Sequence, residues 1–202
     1  MYWTLINYIK GLEEQESRIS EDRRGKLRQI AAFIRDNVGS GKKAKLTFIC
    51  THNSRRSQFC QIWLEVLGYY LGMEHLQSFS GGTEVTAFNF RAIEALKRVG
   101  FKVENPGGDN PHYKIYYDKE IKPVECYSKK FDDPANPTKD FAAIMTCSEA
   151  NQNCPFVPGA SYRKAIPYRD PKEADGTKKE QQVYDERCYQ IAAELYYMLS
   201  RV

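Results

Sequence analysis

A thiol and an arginine frame one short polar run, Cys50-Thr51-His52-Asn53-Ser54-Arg55-Arg56-Ser57. Small polar residues fill it where a core cysteine would have apolar neighbours. Successive backbone N–H groups of such a loop can curl into a nest for a tetrahedral oxyanion. A helix opening near Ser57 would add its unpaired N–H groups and the positive end of its dipole. Arg56 can close the cradle with two parallel N–H···O bonds. The same positive field favours thiolate over thiol at Cys50, and Ser57 can donate its hydroxyl to that sulfur. The run therefore reads as a loop that binds an oxyanion and aims a nucleophile at its central atom. The alternative is a buried cysteine before an exposed basic turn.

A departing oxygen needs a proton. Asp170, in Tyr168-Arg169-Asp170-Pro171, is the candidate acid, although an Asp-Pro pair is also an ordinary turn signal, as at Asp133-Pro134. Cys147 and Cys154 flank Ser148 to Asn153, directly after an apolar run. Their separation exceeds the roughly two to four residues between paired zinc cysteines, so no metal site is expected. Two readings stand for this pair. Either they are inert loop thiols, or Cys147 attacks a Cys50-bound adduct and Cys154 then attacks the resulting disulfide. Cys60, Cys126 and Cys188 read as structural.

The elements that must position these groups are legible around them. Ala44 to Ile49 reads as a buried strand ending at Cys50, and Ser57 opens a helix with Phe59, Ile62, Trp63, Val66, Leu67 and Tyr70 on its apolar side. Further strands are expected at Leu76 to Ser80, Phe141 to Thr146 and Tyr162 to Ile166. An amphipathic helix is expected from Asn89 to Val99, stopped by Gly100, and another around Tyr184 to Leu199. Strands alternating with helices argue for a parallel α/β sheet, whose active site lies beyond the carboxyl ends of the strands. Cys50 and Cys147 both fall at that edge. Residues 1–43 read as a helical extension: Ser20 caps a helix carrying Leu27, Ile30, Ala31, Ile34 and Val38, with Gly39 as its stop. That stripe packs on the main domain or meets a partner. Residues 104–138, rich in Pro and Gly, form an insertion with a hairpin or a loosely held edge.

Composition bounds the partners. The chain has 202 residues, 42% of them apolar and 28% charged, with a net charge of +4. That is one ordinary globular domain with extensions, compatible with a small anionic substrate. Acidic residues are spread among the basic ones, so nucleic acid is not expected. No apolar stretch is long enough to cross a membrane and no secretory signal is present, so the expected location is cytoplasmic. In a reducing compartment the six cysteines stay thiols.

Cys50 to Gln58, then Thr146-Cys147 through Cys154-Pro155, then Asp170-Pro171, together resemble the thioredoxin-coupled arsenate reductases. These share their fold with the low-molecular-weight protein tyrosine phosphatases. The resemblance covers roughly residues 44–200. It implies a three-layer α/β/α domain over 44–202 with four parallel strands in order 2-1-3-4. It implies Cys50 as nucleophile, Arg56 and the loop as oxyanion ligands, Ser57 as thiolate support, Asn53 as loop shaper and Asp170 as general acid. Cys147 and Cys154 match the two relay cysteines, with a thioredoxin-like protein as reductant and no bound cofactor. Gln58, Thr51, Lys172 and Glu173 favour the reductases, because the phosphatases place proline, a bulky apolar residue and ring-gripping tyrosines there. Hydrolysis of a phosphate ester through a phosphocysteine is the alternative activity. His52 stands where the family has glycine, and Arg55 where it usually has cysteine.

Overall fold

The computed structural model describes residues 1–154 and 156–202; Pro155, part of the family match, lies outside the described residues. Two helices lead the chain, α1 (Trp3–Lys10) and α2 (Glu21–Gly39), joined by a 3-10 turn. Then come β1 (Ala44–Cys50), α3 (Arg56–Tyr70), β2 (Leu76–Gly82) and α4 (Phe90–Val99). Three short strands follow, β3 (Lys102–Glu104), β4 (Tyr113–Tyr116) and β5 (Val124–Cys126). The chain closes with β6 (Phe141–Met145), α5 (Ser148–Asn153), β7 (Ala160–Ala165) and α6 (Glu180–Leu199).

The main sheet runs β2-β1-β6-β7 with every pairing parallel. Once β3–β5 are set aside as a separate antiparallel sheet, this is the expected 2-1-3-4 order. The hairpin reading of 104–138 corresponds to β4 and β5, and β3 joins them as a third strand that sequence reading did not mark. Parallel strands are buried on both faces, which is why β1 and β6 are nearly unbroken apolar runs. Their side chains divide by parity. Leu46, Phe48, Ala142 and Ile144 enter the larger core with α2, α3 and α6. Ile49, Phe141, Ala143 and Met145 face a smaller core with Ala150 of α5 and Val157, and Cys50, Cys147 and Cys154 belong to that smaller group. Helices thus cover both faces, unevenly.

Ser20 caps α2 as expected, its hydroxyl accepting from Arg23 N–H. Leu27, Ile30, Ala31 and Ile34 of that helix, with Leu5 and Ile9 of α1, are buried in the larger core. Gly39 is the last helical residue of α2 rather than the residue beyond it; the left-handed turn that ends the helix falls at Gly41, φ 72°. Gly100 stops α4 at the expected place, in the left-handed conformation at φ 118°, and Asn89, expected as its first residue, is its N-cap.

Candidate active site

The loop from Thr51 to Arg55 joins the carboxyl end of β1 to the start of α3, so its shape is set by two rigid elements. Its hydrogen bonding is one-sided. The carbonyls are taken: Thr51 O accepts from Glu84 N–H and the Thr83 hydroxyl, and His52 O from the hydroxyls of Ser128 and Thr86. Asn53 O accepts from Gln58 Nε2, Ser54 O from Asn89 N–H and Arg55 O from Phe59 N–H. By contrast, none of the N–H groups of Thr51 to Arg55 donates to a protein acceptor among the described residues. Buried backbone donors almost always find acceptors. A run of free donors ahead of a helix N-terminus is an anion nest.

Asn53 takes the left-handed conformation at φ 47°, while His52 does not. A side chain at position 52 therefore meets no backbone penalty, and the glycine of the family is not required there. Asn53 also starts a directed chain of bonds. Its Oδ1 accepts from Lys129 N–H at 3.0 Å, and its Nδ2 donates to Ser57 Oγ at 2.9 Å. Ser57 Oγ lies 3.1 Å from Cys50 Sγ. With its oxygen occupied by Asn53, the Ser57 hydroxyl is free to donate to the sulfur, the direction a thiolate needs.

Arg56 is nearly buried and held by two acceptors, Tyr168 O at 3.1 Å from one terminal nitrogen and Asp170 Oδ2 at 2.6 Å from the other. Its Nε is buried without a partner. A fixed guanidinium with a spare donor suits an incoming oxyanion. Asp170 reaches the site from the loop after β7, where its Oδ1 also accepts from Lys172 N–H. Arg55 turns away: its Nε donates to the Tyr184 hydroxyl at 2.9 Å, and that hydroxyl donates to Asp175. The residue that departs from the family pattern thus ties the loop to α6.

Cys147 lies just past the carboxyl end of β6, at the same sheet edge, as the N-cap of α5. It is buried, and its Sγ lies 3.5 Å from Thr51 Oγ1 and accepts from Ala150 N–H at 3.3 Å. Cys154 sits at the far end of α5, half-exposed. All six cysteines are free thiols. Burial pushes the Cys126 and Cys188 thiols up to about 12 and Cys60 well above the ordinary thiol value, so these three stay protonated. Among the described residues no group of His, Cys, Asp and Glu is placed to hold a metal ion.

The insertion buttresses this loop. Ser128 and Lys129 bond to it as described, Gln58 Nε2 reaches Tyr127 O, and Gly82 bridges to Lys130 in parallel register. The close approach needs glycine: a Cβ on Gly82 would lie 2.7 Å from Thr51 O and 2.8 Å from Asn53 N. Sequence reading missed Ser128, Lys129 and Gly82, since irregular polar chain carries no periodic signal. It also missed Glu149, whose Oε2 accepts from Thr51 Oγ1 at 2.8 Å. Beside the loop opens a cleft of about 480 Å³ with His52, Phe88, Phe90, Tyr113 and Lys172 on its walls.

The chain is 31% identical over 130 residues to arsenate reductase 2 of Staphylococcus haemolyticus, covering 64% of this chain and 79% of that one. It is 32% identical, with the same coverage, to arsenate reductase 1 of Staphylococcus saprophyticus. The chain belongs to the arsenate reductase family. Arsenate reductase of Bacillus subtilis is 27% identical over 140 residues, 69% of this chain and 83% of that one. No protein-family model matches. Two low-molecular-weight protein tyrosine phosphatases share the fold. That of Vibrio cholerae gives a TM-score of 0.52 at 12% identity, over 78% of this chain and 95% of that one. That of T. tengcongensis gives 0.52 at 13%, over 79% and 100%. This member of the arsenate reductase family is an enzyme of small oxyanions, and no helix among its described residues is long and apolar enough to cross a membrane.

Proposed function

We propose that the protein reduces arsenate to arsenite with Cys50, Cys147 and Cys154. Arsenate enters the nest, its oxygens held by the free N–H groups of Thr51 to Arg55 and by Arg56. Cys50 attacks arsenic as thiolate, supported by Ser57, and Asp170 protonates the departing oxygen, which leaves as water. Cys147 then attacks the Cys50 sulfur. The arsenic–sulfur bond breaks with its electron pair on arsenic, arsenite departs, and a Cys50–Cys147 disulfide remains. Cys154 takes over Cys147 and carries the disulfide to the half-exposed end of α5, where a thioredoxin-like protein reduces it. The observation that carries this reading is the grouping of three free thiols, Cys50, Cys147 and Cys154, in one small core at the strand ends.

Counting thiols after one turnover tests it. The reduced protein, freed of reductant and mixed with arsenate, should lose two thiols, mapped by mass to Cys147 and Cys154. Retention of all six overturns it. In Cys154→Ser the disulfide should stop at Cys50–Cys147, with multiple turnover blocked. The cleft beside the loop supports a second reading, hydrolysis of a phosphate ester whose organic part lies against Phe88, Phe90 and Tyr113. That activity needs Cys50 and Asp170 and is indifferent to Cys147→Ser.

A further inference from the structure

Thr51 stands between two titratable groups, and the count of hydrogens decides which way its bonds run. Its Oγ1 lies 2.8 Å from Glu149 Oε2 and 3.5 Å from Cys147 Sγ. A threonine hydroxyl has one hydrogen, and an ionised carboxylate can only accept. The Thr51 hydrogen therefore belongs to Glu149. The contact between Thr51 and Cys147 must then use the thiol hydrogen, with Thr51 Oγ1 accepting. Ala150 N–H donates to Cys147 Sγ, and a donor is no competing acceptor for the thiol hydrogen.

We infer that Glu149 is the proton acceptor for Cys147, acting through the Thr51 hydroxyl in a two-step relay. The thiol proton passes to Thr51 Oγ1 as the Thr51 proton passes to Glu149 Oε2. The products are a Cys147 thiolate and a neutral Glu149 carboxyl. After the transfer the Thr51 hydrogen points at sulfur, so the thiolate holds two donors, Thr51 O–H and Ala150 N–H. The transfer runs as the sulfur attacks rather than ahead of it, as general-base catalysis does. Attack forms the Cys147–Cys50 bond and breaks the bond from Cys50 Sγ to its adduct, whose electron pair leaves with the adduct atom. Glu149 touches no reacting atom and is a positioning residue in this sense. The inference deepens the proposed function and rests on it for the identity of the adduct.

The surroundings leave Glu149 this role. Packed against α5 are β1, whose titratable groups are Lys45 at its start and Cys50 at its end, and β6, which carries no charged side chain. Arg163 of β7 bonds to Asn151 and to Cys154 O, at the other end of α5. Cys154 is the remaining titratable group on that helix.

The test follows disulfide formation between Cys50 and Cys147 in a single turnover, in the Cys154→Ser background, across pH. Two triggers are used: arsenate, and hydrogen peroxide, which oxidises Cys50 to a sulfenic acid that Cys147 resolves with release of water. In Glu149→Gln the rate at pH 7 should fall about 100-fold. It should then rise about tenfold per pH unit through the thiol range and approach the parent rate in alkali. Glu149→Asp should recover part of the loss at neutral pH. A Glu149→Gln profile parallel to the parent's, lowered or not, overturns the relay, since a structural role scales the rate equally at every pH. If arsenate yields no disulfide but peroxide does, with the altered profile in Glu149→Gln, the relay stands and arsenate reduction falls.

Discussion

Arg56 shows how much of this site rests on side-chain geometry rather than on charge. Its two terminal nitrogens are each fixed by one acceptor, Tyr168 O and Asp170, which leaves Nε and the second hydrogen of each terminal nitrogen as oriented donors for the substrate. Lysine keeps the charge but places it as a point at the end of a flexible stem. Arg56→Lys should therefore lower kcat/KM about 100- to 1,000-fold while the thermal midpoint stays near that of the parent. Steady-state kinetics beside a thermal melt checks both halves. Asp170 shares this geometry: it sits on the guanidinium that would face the oxyanion, so the proposed acid and the proposed anion ligand are positioned by one contact.

At the scale of elements, the nest is held from behind by the turn after β2 and by the run after β5. Gly82→Ala drives a methyl group into the backbone at Thr51 and Asn53, where no flexible side chain can yield. It should cost about 1–3 kcal/mol in chemical denaturation and reduce turnover by more than the stability loss explains, because the loop itself must move. The same elements mark where sequence was informative. β1 and β6 announce themselves through apolar runs at strand length, β2 and β7 only weakly because polar residues interrupt them, and Ser20, Asn89 and Gly100 act as the caps their residue types suggest. The motif from Cys50 to Ser57 is visible because its chemistry lies within one short run. Ser128, Lys129 and Glu149 are not, because they meet the loop only through folding. Two of them offer backbone or a lone hydroxyl, which no side-chain pattern encodes. β3 was hidden for a related reason, since three residues are too few to show alternation.

On the scale of the molecule, α2 reaches the site indirectly. Arg23 pairs with Glu194 of α6 at 2.7 Å, both largely buried, and its guanidinium lies 4.5 Å from the centre of the Tyr168 ring. Tyr168 in turn gives its carbonyl to Arg56. Glu194→Ala leaves Arg23 a buried charge without its carboxylate and should cost about 3–5 kcal/mol, read from denaturant midpoints. The seating of α1 and α2 has a further consequence in time. Leu5, Ile9, Leu27, Ile30 and Ile34 share one core with Ile191, Leu195 and Met198 of α6. Of the elements described, α1 and α2 leave the ribosome first and α6 last. The part of that early apolar surface which packs on α6 waits for nearly all of the described chain to be synthesised, so a nascent chain halted ahead of residue 180 leaves it uncovered. Folding here brings α2 against α6, and the loop's bond from Arg55 to Tyr184 forms only when α6 is in place.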